Sequence, residues 1–236
     1  MKTNFFAVFG ILVLALVFIA LNSGCSGKLR DAEEHYDIGT IHWKQGRIDD
    51  AIEEYKKALS VSPNFEKAHF NLGCVYTQKG KFDLAIESFK KGLEIKPDWV
   101  EAHTNLGAAY ETNNMIKEAM EEYKKAIGLN PDVPESHVNL GNLYFKMERF
   151  DEAIGEYNTA IKLKPDFAEA YNNLGYVYFK QSNYSLAISN FNKAIEQKPG
   201  YIGAHNNLGQ AYINVGLRDK AREQYDIVSK LTNKNR

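Results

Sequence analysis
One pattern decides what this chain can become: from Ala32 onward the sequence repeats itself every 34 residues, six times, without insertion. The copies are 32–65, 66–99, 100–133, 134–167, 168–201 and 202–235. A period of this length marks a solenoid, in which each unit buries its apolar face against its neighbour and no central core is needed. Numbering each copy from 1 to 34, position 8 is Gly39, Gly73, Gly107, Gly141, Gly175 and Gly209. Position 20 is Ala51, Ala85, Ala119, Ala153, Ala187 and Ala221. A glycine inside a helix costs about 1 kcal/mol relative to alanine. Six such costs at one register predict close helix–helix approach, with each glycine packed near the alanine of its own copy, as Gly73 near Ala85.

The remaining columns give the helices their faces and ends. Position 7 is Ile or Leu throughout, position 11 is Tyr except at His42, and position 24 is Tyr55, Phe89, Tyr123, Tyr157, Phe191 and Tyr225. Such spacing forms apolar stripes on two helices. Position 15 holds Gly46, Gly80, Asn114, Glu148, Ser182 and Gly216 and predicts the turn between them. Position 32 is Pro63, Pro97, Pro131, Pro165 or Pro199, which stops the second helix. Asn64, Asp98, Asp132 and Asp166 follow as candidate N-caps of the next helix.

These columns resemble the tetratricopeptide repeat (TPR) family over 32–235. The resemblance implies an all-α fold, a right-handed α-solenoid of six helix pairs whose first helices line a concave, peptide-binding groove. Positions 17, 21 and 28 are apolar in copies 1–5, as in Phe82, Ile86 and Leu93, but are Arg218, Arg222 and Ser229 in copy 6. A polar outer face suits a terminal repeat. The expectation is an array that ends at six and works as a monomer.

Position 6 is Asp37 and then Asn71, Asn105, Asn139, Asn173 and Asn207. It precedes the buried aliphatic residue and is expected to face the groove. An amide offers donors and an acceptor to an extended backbone. With helices ~10 Å apart and about 3.3 Å per extended residue, one rung serves about three residues. The row is similar to the asparagine ladder in the TPR arm of O-linked N-acetylglucosamine transferase. The alternative is that Asn-Leu-Gly is common repeat vocabulary with solvated amides. Positions 9 and 12 share this face and include Trp43, Phe145, Tyr176 and Phe179, read either as an apolar binding shelf or as packing between repeats. Phe145, Tyr176 and Phe179 are the expected anchors, since aromatic residues dominate interface energetics.

Other chemistries find little support. A carboxylate clamp, as in chaperone-binding TPR proteins, needs basic residues at positions 2, 5 and 6, where this chain has Glu33, Glu101, Glu135 and Glu169, mixed residues, and no arginine. His35, His69, His103, His137 and His205 all occupy position 4, with Tyr171 in copy 5. Repeat spacing is too wide for bonds of about 2 Å to one ion, so packing is expected and no metal. Cys74 has no activating neighbour in sequence and reads as a packing or groove residue. Net charge is −1 with signs interleaved, so no basic stripe is available for nucleic acid. No phosphate loop or nucleophile triad appears and the repeats leave no room for a catalytic domain. The expectation is a non-enzyme without cofactors.

Residues 1–31 are of another kind. Lys2 precedes an apolar run of 17 residues, Phe5 to Leu21, followed by Asn-Ser-Gly-Cys-Ser-Gly. This predicts a signal peptide or hydrophobic anchor over 1–24, and a linker over 25–31. Cys25 resembles the lipidated cysteine of a bacterial lipobox, although Asn22 stands where an aliphatic residue is usual. The alternative is an uncleaved transmembrane helix, for which the run is just long enough. Either places the repeats outside the inner membrane, and the lipidated form is expected to be a periplasmic or outer-membrane lipoprotein. The expected function is a membrane-anchored scaffold that binds an extended peptide or partner protein and supports envelope complex assembly. Size and layout are similar to six-repeat outer-membrane lipoproteins that assist type IV pilus secretin assembly. The alternative is a non-catalytic substrate-recruiting subunit of an enzyme complex, such as a glycosyltransferase or a secretion system.

Overall fold
A computed structural model of the chain describes residues 29–234. The expected N-terminal hydrophobic helix and Cys25 lie outside the described residues. Among these residues no helix is long and apolar enough to cross a membrane. They form twelve helices and no strand. Helix α1 covers 29–44. It is followed by α2 (Ile48–Val61), α3 (Glu66–Gln78), α4 (Phe82–Ile95), α5 (Val100–Thr112) and α6 (Ile116–Leu129). Then come α7 (Pro134–Lys146), α8 (Phe150–Leu163), α9 (Ala168–Lys180), α10 (Tyr184–Gln197), α11 (Ile202–Asn214) and α12 (Arg218–Lys234). Contacts divide the chain into two compact units, the first ending at Asn113 and the second starting at Asn114.

In the first unit α2 packs on α3, α3 on α4, and α4 on α5. In the second each helix from α6 to α12 packs on the next, and the first helices α7, α9 and α11 also touch in sequence. The core of each hairpin is the alanine of position 20 with the ring of position 24. Ala51, Tyr55, Ala85, Phe89, Ala153, Tyr157, Ala187 and Phe191 are at most 1% exposed. Burying one such ring contributes roughly 1.5–3 kcal/mol. Tyr225 occupies the same register in α12 and is 39% exposed.

The glycine column does allow close approach to the expected alanine, a Cβ on Gly39 standing 3.3 Å from Ala51 O and one on Gly175 3.2 Å from Ala187 O, but the position-24 ring comes nearer still. A Cβ on Gly73 would stand 2.6 Å from the Phe89 ring, and one on Gly141 2.7 Å from the Tyr157 ring. The aromatic face, being larger than a methyl, reaches across first.

The turn inside each repeat is a left-handed residue at position 15. Gly46, Gly80 and Gly216 have φ of 77, 71 and 80°, and Asn114, Glu148 and Ser182 have 59, 58 and 59°. Around Glu148, its N–H donates to Phe145 O at 3.0 Å and Arg149 N–H donates to Tyr144 O at 2.9 Å. These paired bonds are a Schellman ending, which satisfies the last carbonyls of the helix.

The turn between repeats corrects one expectation. Asn64, Asp98, Asp132 and Asp166 are not caps; the cap positions are Phe65, Trp99, Val133 and Phe167, none with a side-chain capping bond. Phe65 N–H donates to Ser62 O at 3.2 Å and Phe167 N–H to Lys164 O at 3.1 Å. The proline and the following Asn or Asp are therefore the central residues of a β-turn, for which both are suited. The apolar cap residue is left to pack inward, as Phe65 does at 9% exposure. In α12 Asn233 stands in the register of the stopping proline, and the helix runs 17 residues instead of 14.

Candidate peptide-binding face
In the second unit the first helices present a connected set of amides. Asn142 Oδ1 accepts from Tyr157 Oη at 2.7 Å and from Asn173 Nδ2 at 2.9 Å. Asn173 Oδ1 accepts from Asn172 Nδ2 at 3.2 Å, and Asn172 Oδ1 accepts from Asn207 Nδ2 at 2.9 Å. The chain runs from α11 through α9 to α7 and ties three repeats together. Asn139, Asn173 and Asn207 are half-buried. In the first unit Asn71 is 9% exposed and donates to Tyr55 Oη at 3.2 Å, while half-buried Asn105 donates to Glu101 O of its own helix at 2.8 Å. Position 6 is thus not one uniform row. Asn142 and Asn172 complete the second unit's network but sit at positions 9 and 5. Their signal was a second asparagine three or one residues from the first on the same helix.

Beside the amides lies an aromatic cluster. Phe145 is three residues from Asn142, and Tyr176 three from Asn173, so each pair shares a helix face. The Phe145 and Tyr176 centroids are 5.4 Å apart, and those of Tyr176 and Phe179 6.2 Å with planes 3° from parallel. Phe150 and Tyr184 extend the cluster at 5.7 Å from Phe145 and 5.6 Å from Phe179. Lys180 Nζ stands 5.5 Å above the Tyr176 ring, within cation–π range. All five rings are half-buried. In the first unit Trp43 donates to Gln78 Oε1 at 2.8 Å, and Phe70 stacks on Trp99 at 4.5 Å, a pair that the sequence reading passed over.

The position-4 histidines are staples between repeats. Nε2 of His69, His103, His137 and His205 donates to the carbonyl of Pro63, Pro97, Pro131 and Pro199 at 2.8, 2.8, 2.9 and 3.0 Å. Among the described residues no group of three His, Cys, Asp or Glu side chains could hold a metal ion. Burial pushes the Cys74 thiol up to about 12, far from a reactive thiolate.

The family profile described as TPR repeat matches residues 39–77, 73–114, 113–148 and 141–182, and that described as tetratricopeptide repeat matches 168–201. The chain belongs to the tetratricopeptide-repeat family. Among solved structures, this TPR chain is similar to MamA, at 34% identity over 70% of this chain and 96% of that one, with a TM-score of 0.62. It is also similar to pilF of Pseudomonas aeruginosa, at 18% identity over 87% and 93% with a TM-score of 0.74. YrrB, described as a TPR protein with an unusual peptide-binding site, is 24% identical over 75% and 91% with a TM-score of 0.58. No curated protein matches by sequence. The TPR fold typically serves as a non-catalytic scaffold suited to binding proteins or peptides.

Proposed function
We propose that this TPR protein is a non-catalytic scaffold that holds an extended polypeptide on the first-helix face of its second unit, at a membrane reached through its N-terminus. The observation that carries the reading is the half-buried cluster Phe145, Tyr176 and Phe179 beside the linked amides of Asn142, Asn173, Asn172 and Asn207. Half-buried rings held against one another expose apolar area at little further entropic cost, as an affinity site needs. The half-buried amides of Asn142, Asn173 and Asn207 beside them meet a peptide backbone, with buried Asn172 linking them. Amides already tied to one another are pre-ordered, so the backbone is met by groups that need not be fixed on binding. The remaining apolar N-terminal run and Cys25 support attachment by a lipid or an uncleaved helix, and assembly of envelope complexes is the role that such a position favours.

The test selects a displayed library of random 12-residue peptides on the full chain in detergent, then titrates the labelled winners. Phe145→Ala, Tyr176→Ala and Phe179→Ala each weaken binding by roughly tenfold or more, with helicity unchanged by circular dichroism. Binding unaffected by all three changes overturns the reading. The attachment is read separately: a lipidated protein takes up a labelled fatty acid and loses the label in Cys25→Ala, whereas an uncleaved helix carries no label and keeps Met1 to Gly24 in the intact mass.

A further inference from the structure
The repeats differ in what they place against the second nitrogen of the position-4 histidine. In the first repeat, Glu54 lies between His35 Nδ1 at 2.7 Å and Lys57 Nζ at 2.8 Å. In the fourth, Glu156 meets His137 Nδ1 at 2.7 Å. The second repeat keeps His69 and Lys91 at the registers of His35 and Lys57 but has Ser88 at the register of Glu54. The Ser88 hydroxyl turns away and donates to Leu84 O at 2.7 Å. Lys91 pairs with Glu87 on the exposed surface at 2.7 Å. His69 is 8% exposed and Nε2 is engaged by Pro63 O, so Nδ1 is left without a protein partner among the described residues.

A second substitution stands beside it. Gly92 occupies the register of Ala58, Ala126, Ala160 and Ala194. A Cβ there would stand 3.6 Å from Glu66 O and 3.6 Å from His69 Cβ, ordinary contacts, so the missing methyl loosens the packing of α4 on α3 at His69. His69 also lines an open cleft of about 430 Å³, with Leu59, Pro63 and Ile95 as apolar walls, His69, Lys91 and Glu94 as its charged or titratable groups, and an exposed rim at Pro63, Asn64 and Glu94. That volume lies in the range of small-molecule sites.

We propose that this cleft binds a carboxylate carried on a small apolar group, held between His69 Nδ1 and Lys91 as Glu54 is held between His35 and Lys57. The exposed Lys91–Glu87 pair costs little to break, and a charge-assisted bond to each oxygen replaces it. Both ring nitrogens of His69 then donate, so the ring is cationic in the complex. Burial, with Lys91 adding, holds the pKa of His69 below its ordinary value, while the Pro63 carbonyl and Glu94 work the other way. Binding therefore takes up a proton and strengthens as pH falls. Glu94 disfavours polyanions, which limits the ligand to a single carboxylate. The site lies in the first unit, on residues that have no part in the proposed peptide face.

The test is calorimetric titration of the full chain in detergent with isovalerate, isovaleramide, acetyl-Gly-Leu and its C-terminal amide. The two acids bind with a Kd on the order of 1 mM and with proton uptake, and the two amides do not. Binding of isovalerate alone assigns the site to free acids; binding of the dipeptide acid as well assigns it to chain termini. Ser88→Glu supplies the carboxylate from within and Lys91→Met removes the cation while keeping the side chain's length. Each lowers acid affinity by tenfold or more while thermal stability is kept or raised, so lost binding is not lost folding. Equal binding of acid and amide, indifference to both substitutions, or no binding of any probe overturns the proposal.

Discussion

At the scale of single residues, the tightest constraint is the contact between the position-8 glycine and the position-24 ring. Gly141→Ala gains about 1 kcal/mol of helix propensity, but the new methyl would lie 2.7 Å from a Tyr157 ring that is 1% exposed. Overpacking costs typically about 1–3 kcal/mol, so the net effect is destabilising by up to about 2 kcal/mol, read from urea unfolding. His69 supplies a pH effect of known sign. Its folded pKa is depressed, chiefly by burial. The unfolded chain therefore binds the proton more readily, and this stability is full above about pH 6.5 and is lost as pH falls from there through the folded pKa. Urea midpoints between about pH 7.5 and 5.5 should fall more for the wild type than for His69→Gln. The alanine neighbour was legible, at Gly39 and Gly175, but the nearer ring was not, because the sequence shows that an approach is close, not which side chain of the facing helix arrives first.

Elements are where sequence and structure agree best, and their ends are where they part. Apolar stripes at helical spacing fix two helices per repeat, and the left-handed position 15 joins them even where glycine is absent. Ser182 holds φ 59° there. Left-handed backbone strains an L-residue by about 1–2 kcal/mol, so Ser182→Gly should raise the unfolding free energy by about 0.5–1 kcal/mol, measured in urea. The cap residues were misread because proline followed by Asn or Asp suits a β-turn as well as a helix start. Only the hydrogen bond back to Ser62 or Lys164 separates the two. In α12, Arg218, Arg222 and Ser229 are exposed, as a solvent-facing end requires. Arg218→Phe, Arg222→Ile and Ser229→Leu together restore the apolar stripe of the other repeats. The triple variant should self-associate in sedimentation runs at concentrations where the wild type does not; one that sediments as the wild type does would show the stripe to be no docking surface.

For the molecule as a whole, the fold was legible because six copies report each position six times, and what they share is the architecture. What sets the sites apart is where a copy departs from the others: Asn142 and Asn172 in the second unit, Ser88 and Gly92 in the first. Phe145, Tyr176 and Phe179 could be named as neighbours from their registers, since position 9 of one copy and position 12 of the last fall on adjoining first helices. The amide network could not, because its links join different registers. Stability also follows neighbour contacts, so Gly141→Ala should speed hydrogen exchange in α7 and α8 and leave α11 and α12 at the wild-type rate. Finally, first helices begin at Glu66, Val100, Pro134, Ala168 and Ile202, every interval the same, and second helices keep the same step from Ile48 to Arg218. A gene duplication or loss of one internal copy leaves every junction matched on both sides. The length of this protein is thus free to change by whole copies over evolution while the helix register of the surviving copies is kept.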